Sequence, residues 1–307
     1  MALGWAACAP APQAPLVVGT VPWVGTEPLF LARELGLFSG PIHLAEYINS
    51  EHGSRAFQNG LIDAAAVTLD EVLSLDHLQH QASVVLVLDA SHGADCVVAQ
   101  PTVTAVAELR GRKVASEEVV LPTYILVRAL EQAGLKIEDV QREYGGLEEL
   151  EGMLRRGEVD AAVTFEPYCR KLVAEGARVI FDSRQLPGEI VDVLVVRRSY
   201  LEAHPAQVDA LLRGWFAALE VLRERPAEAA RHMAPRVGLA EGAFLEAMKG
   251  VRHPDVREQH QLLLGEQPRL METLRWLGAI MVQSSDLPAV PDTPRLLDPA
   301  PLLRVAP

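Results

Sequence analysis

Cysteine, lysine and long apolar runs are all scarce in this sequence, and each scarcity excludes something. The three cysteines, Cys8, Cys96 and Cys169, are scattered, form no CxxC pair and are odd in number, so neither a zinc ribbon nor a disulfide framework is expected. Apolar runs such as Ala82 to Leu88 and Ile190 to Val196 fall far short of the ~20 residues needed to span a bilayer. Basic side chains are also few: 28 Lys and Arg face 41 Asp and Glu, for a formal charge of -13. The resulting negative field opposes contact with nucleic acid or anionic lipid, which removes DNA and RNA as partners. No GxSxG, HExxH or glycine-rich phosphate loop is present, and none of the four lysines (Lys113, Lys136, Lys171, Lys249) falls in an expected cleft loop. The expectation is therefore a protein that is not an enzyme and carries no cofactor or metal.

What is present is a long chain of globular composition. Its 307 residues are 49% hydrophobic and 22% charged, enough for two domains or one large barrel. At the start, Trp5-Ala6-Ala7-Cys8 resembles a bacterial lipobox, and the Pro/Ala stretch after it reads as a stiff tether. Residues 1–15 are thus expected to be a signal remnant and tether, with Cys8 the lipidation site; the alternative is a thiol of no consequence.

From Leu16 onward, short Val- and Ile-rich runs alternate with segments of helical period, the pattern of β/α units with mostly parallel sheets. Strands are expected at Leu16–Thr20, His43–Ile48, Ala64–Thr68, Ser83–Leu88 and Cys96–Ala99, and helices at Pro28–Leu37, Ser54–Asn59 and Pro122–Ala133. After Ala203 the pattern is helix upon helix, punctuated by Pro226, Pro235, Pro254 and Pro268. An internal repeat is more informative. Gly60-Leu-Ile-Asp-Ala-Ala-Ala-Val-Thr-Leu-Asp70 and Gly157-Glu-Val-Asp-Ala-Ala-Val-Thr-Phe-Glu166 share one order: glycine, aliphatic, Asp, small-residue strand, Thr, apolar, acid. A duplicated α/β lobe accounts for it. Ligands of open α/β sheets bind beyond the carboxyl ends of the strands, so Thr68 and Asp70 should meet Thr164 and Glu166 across a cleft.

The order and spacing of further segments carry a family resemblance. Val18-Gly-Thr-Val-Pro-Trp23-Val-Gly-Thr-Glu27-Pro-Leu-Phe, Asn59-Gly-Leu-Ile-Asp-Ala-Ala, Leu109-Arg-Gly-Arg-Lys-Val, Gly157-Glu-Val-Asp-Ala-Ala and Phe181-Asp-Ser resemble periplasmic binding proteins of the nitrate, sulfonate, taurine and thiamine-pyrimidine-precursor group. The resemblance implies an α/β type II periplasmic binding fold. Lobe I would comprise residues 16–97 plus 193–307 and lobe II residues 98–192, joined by a two-segment hinge near Cys96–Gln100 and Val191–Val196, with a helical C-terminal region. It also implies a monomer outside the cytoplasm, held at the membrane only if Cys8 is lipidated, that closes on a small solute and delivers it to an ABC permease and its ATPase.

The expected cleft loops are acidic: Glu27, Asp70, Asp89, Asp95, Glu118, Glu166, Glu189 and Asp192 all fall at loop or strand ends. Carboxylates beside a buried anion are costly, whereas an ammonium, amidine-like or aminopyrimidine group pairs with them. Trp23 offers a stacking or cation–π face, and Thr26, Thr68, Ser91, His92 and Gly93 complete the candidate binding set. Neutral and anionic solutes stay open as alternatives. So do a sensory binding protein for a membrane receptor and an enzyme resembling a fungal pyrimidine-precursor synthase. For single acids the plainer roles are helix capping and, for Asp192, pinning the hinge.

Overall fold

The computed structural model describes residues 14–79, 81–283 and 285–306; the expected lipobox and Cys8 lie outside them. Strands β1 (Leu16–Thr20), β2 (Ile42–Glu46), β3 (Ala64–Thr68) and β4 (Ala82–Ser91) alternate with helices α1 (Glu27–Glu34), α2 (Ser50–Gln58) and α3 (Leu69–His77). The chain then crosses to a second set: β5 (Asp95–Ala99), β6 (Lys113–Ser116), β7 (Gln141–Tyr144), β8 (Ala161–Phe165) and β9 (Arg178–Asp182), with helices α4 (Val120–Gln132), α5 (Leu147–Arg155) and α6 (Tyr168–Ala174). It returns through β10 (Val191–Arg197) and continues as α7 (Arg198–Ala203), α8 (Pro205–Glu224), α9 (Pro226–Met233), α10 (Glu241–Met248), the short β11 (Val251–Arg252), α11 (Val256–Leu263), α12 (Arg269–Gln283) and α13 (Ala300–Val305).

Two separate sheets result. The first has the order β11-β4-β10-β3-β1-β2 and the second β7-β6-β8-β5-β9. The internal repeat is visible in both. β3 pairs in parallel with β1 and antiparallel with β10, while β8 pairs in parallel with β6 and antiparallel with β5. Gly60 and Gly157 occupy the left-handed region at φ 71° and 70°, where a side chain would be strained, and each turns a helix into its strand. The acid three residues on repeats its job too: Asp63 accepts from the backbone N–H of Val17 on β1, and Asp160 from that of Lys113 on β6.

Central strands buried on both faces need apolar residues throughout, which is why β4 reads as an almost unbroken Val/Leu run. β4 runs on through Ser91, past the expected end at Leu88, because Ser91 and Ala90 pair with Val251 and Arg252 of β11. The loop expected from Asp89 to Asp95 shrinks to His92–Ala94. The C-terminal helices cover the first sheet, α8 packing on α1 and α12 on α3, with Trp215 of α8 fully buried.

One expectation is corrected here. Cys96 and Cys169 form a disulfide across 73 residues of sequence, with Cα atoms 6.6 Å apart. β5 and α6 share one small core with Leu150, Leu154 and Leu172, so the fold brings together two cysteines whose spacing gave no sign of pairing.

Candidate functional site

The parallel strands of both sheets aim their carboxyl ends at one cavity of about 280 Å³. From the first sheet come Val21 and Trp23 after β1 and Thr68, Asp70 and Glu71 at the β3–α3 junction; from the second come Thr164 and Phe165 of β8 and Glu117, Val119, Val120, Leu121 and Pro122 between β6 and the first turn of α4. The floor is made by the crossing segments, through Asp95 at the start of β5 and Ile190 and Asp192 at the start of β10. Trp23 meets Phe165 edge to face, with ring centroids 5.8 Å apart, so the two halves touch across the opening.

Six carboxyl groups line this space, from Glu51, Asp70, Glu71, Asp95, Glu117 and Asp192, and no Lys, Arg or His stands among the lining residues. Asp89 lies directly behind them. It is fully buried, accepts from the Trp23 indole Nε1 at 3.2 Å, and sits beside Asp192 in the β4–β10 register. Gly25 permits this packing, since a Cβ there would overlap both the Asp89 carboxylate and the indole nitrogen.

Burial without a counter-ion sets the protonation of these groups. It pushes Asp89 up to about 7, eased by the hydrogen bonds from Trp23 and with Asp192. Asp192 is raised well above the usual carboxylate range by burial, then by the charges of Asp89 and Asp95. Burial also lifts Asp95 to about 6, with a hydrogen bond from Ser91 opposing. Glu71 rises to about 7 through burial and the neighbouring Asp70 charge. It reaches back to the Thr68 backbone at 3.0 Å in a capping box and accepts from Ser54 at 2.8 Å. Asp70 is raised by burial, and Glu117 is raised to about 7 by burial alone. Among the described residues no three His, Cys, Asp or Glu side chains are placed to hold a metal ion.

Of the residues singled out from sequence, Trp23, Thr26, Thr68, Asp70, Asp95, Thr164 and Asp192 line the cavity. The others lie apart from its walls, each for a visible reason. Glu27 turns the other way in the first turn of α1 and pairs with Arg236 at 2.9 Å, a partner 209 residues away. Ser91 shares a hydrogen bond with Ser183 at 2.7 Å, and the backbone N–H of Gly93 donates to the same Ser183 hydroxyl, so both tie the two crossing segments together. His92 is exposed, its N–H donating to the Gly250 carbonyl. Glu118 points to solvent while its neighbour Glu117 lines the cavity; an extended chain turns alternate side chains to opposite sides. Glu166 is buried against Arg170 at 3.2 Å. Glu189 accepts from the Tyr124 hydroxyl and pairs with Arg128.

Residues 9–238 match the model of the NMT1-like family, three-quarters of the sequence and both halves of the cleft. The chain belongs to the NMT1-like family. A putative aliphatic sulfonates-binding protein of Escherichia coli (strain K12) is 30% identical over 135 residues, a match covering 44% of this NMT1-like chain and 42% of that relative. In three dimensions the NMT1-like chain is similar to the periplasmic aliphatic sulphonate binding protein SsuA of Escherichia coli, at TM-score 0.76 and 19% identity over 91% of this chain and 90% of that one. It is also similar to the ligand binding component of an ABC-type import system from Staphylococcus aureus, at TM-score 0.80 and 13% identity over 96% and 99%. The fold is therefore that of the periplasmic solute-binding proteins.

Proposed function

We propose that this chain is the solute-binding component of an ABC importer and that its solute is a small organic cation bearing an amine or amine-like group. Residues 16–97 with 193–307 act as one lobe and 98–192 as the other, moving about the crossing segments β4–β5 and β9–β10. The protein works outside the cytoplasm and hands its solute to a membrane permease driven by an ATPase. The observation that carries the choice of solute is the cavity lining: six carboxyls and no basic side chain. A buried anion would meet these carboxyls with no basic side chain among the lining residues, whereas an ammonium or amidinium would pair with them.

The helix starts around the cleft support the same reading. A bare helix N-terminus attracts anions. Here α3 carries Asp70 and Glu71 in its first turn and α2 carries Glu51, so those N-termini meet carboxylates of the chain itself.

A thermal-shift screen of amines, aminopyrimidines, alkanesulfonates and nitrate tests the reading. Amine-bearing compounds should raise the melting temperature by mass action, and Asp192→Asn should weaken their binding by an order of magnitude or more. Stabilisation by sulfonates or nitrate alone would overturn it.

A further inference from the structure

Resting on that reading, the two walls of the cavity point to a narrower class: we infer that the solute joins one cationic head to an apolar body and carries no negative group. The first sheet and the floor supply the polar end, with Asp70, Glu71, Asp95 and Asp192. The wall from the second sheet is different in kind. Val119, Val120, Leu121 and Pro122 enter the cavity in succession, Ile125 follows one turn later, and Ile190 continues the surface toward the floor.

The start of α4 is what makes this wall unusual. Its N-cap is Val119, which offers no side-chain acceptor, and the third helical residue is Pro122, which has no N–H to give. The side chains this helix start turns toward the cavity are therefore apolar. Glu117, two residues before the N-cap, lines the same cavity, so an anion approaching the backbone N–H groups of this turn would meet a carboxyl of the chain itself. No lining Arg, Lys or His stands ready to pair with it from another direction. A zwitterion such as an amino acid would therefore enter with its ammonium paired and its carboxylate stranded against an apolar surface, a loss that ordinarily costs far more than a missing methylene. A hydrophilic diamine has the opposite fault: it offers little apolar surface to Leu121 and Ile125.

Isothermal titration calorimetry on the full chain at pH 7.5 with four probes separates the cases. 2-Phenylethylamine has the head and the body; phenylalanine is the same molecule with a carboxylate; putrescine has two heads and no apolar body; pentanesulfonate has the body and the wrong charge. The expected result is that phenylethylamine binds at least an order of magnitude more tightly than phenylalanine and putrescine. Ile125→Asn should weaken phenylethylamine about tenfold, and Leu121→Asn, at a less buried position of the same wall, should do the same with a smaller loss of melting temperature. Phenylalanine binding as tightly as phenylethylamine, putrescine binding more tightly than either, or an unchanged affinity in Ile125→Asn would overturn the inference and leave the cationic-solute reading standing. Binding of pentanesulfonate alone would remove both. Absence of phenylethylamine binding at millimolar concentration would also overturn the inference.

Discussion

At the scale of single residues, the site is a set of carboxyls held partly protonated by burial, and that state has a sign. Asp89 on β4, Asp95 on β5, Asp192 on β10, and Asp70 and Glu71 on α3 face one another with no base between them. His253 is bonded to the Gly25 carbonyl and pushed by burial down to about 4, so it brings no charge near neutrality. A carboxyl whose pKa is raised by folding binds more protons in the folded than in the unfolded chain between the two values. Its contribution to stability is complete below the unfolded value and is lost as pH rises through the folded one. From about pH 4 to 7 these groups therefore favour the ligand-free fold increasingly as pH falls. A cation needs the ionised form, so its binding releases protons and weakens on acidification, by up to tenfold per pH unit for each proton released. The expected pair of results is opposite in direction: between pH 7.5 and 5.5 the melting temperature of the free protein holds or rises while affinity for an amine falls. Proton release also makes the calorimetric heat depend on the buffer's ionisation enthalpy. An affinity flat across this range would mean that these carboxyls do not touch the solute.

At the scale of elements, the repeat was legible because its signals are local. Gly60 and Gly157 mark helix ends, Asp63 and Asp160 follow at a fixed offset, and the Ala/Val runs between them admit only a tightly packed strand. Asp70 and Thr68 followed from that placement. What stayed hidden depends on partners remote in sequence or on single-residue phase. The partner of Glu27 is 209 residues away, the Ser91–Ser183 bond joins segments 92 residues apart, and Glu117 differs from Glu118 only in which side of an extended segment it occupies. The Cys96–Cys169 bond was hidden in the same way. It fastens α6 to β5, the strand that opens with Asp95, and closes a long loop. On the chain-entropy account a loop of this length contributes about 4 kcal/mol. A Cys96→Ser, Cys169→Ser double variant should therefore melt several degrees lower, and dithiothreitol should bring the parent protein to nearly the same temperature. Equal melting of parent and variant in oxidising buffer would show the bond to be dispensable to the second sheet.

At the scale of the molecule, the crossing segments are not the whole connection between the two sheets, and a C-terminal helix supplies more. Alternation along β10 sends Ile190 and Asp192 to the cleft and Val191 to the opposite face, where a second cavity of about 420 Å³ opens. Trp276 of α12 lines that cavity and packs against both hydrophobic cores, the one beneath the first sheet and the one beneath the second. On the side of the second sheet its indole meets Tyr124 edge to face at 5.6 Å and lies under the Arg128 guanidinium, which Glu189 holds from the far side. Because one side chain belongs to both cores, neither half can lose its packing without exposing part of the other, and unfolding of the two should be a single event. Trp276→Ala removes that shared surface while leaving the cavity carboxyls in place. Loss of a partly buried indole of this kind costs about 2 kcal/mol. The calorimetric melt of the variant should broaden or split, the van't Hoff enthalpy falling below the calorimetric one, and Trp276→Phe should restore most of the cooperativity. A variant melting in one sharp step at the parent temperature would assign the coupling to the crossing strands alone.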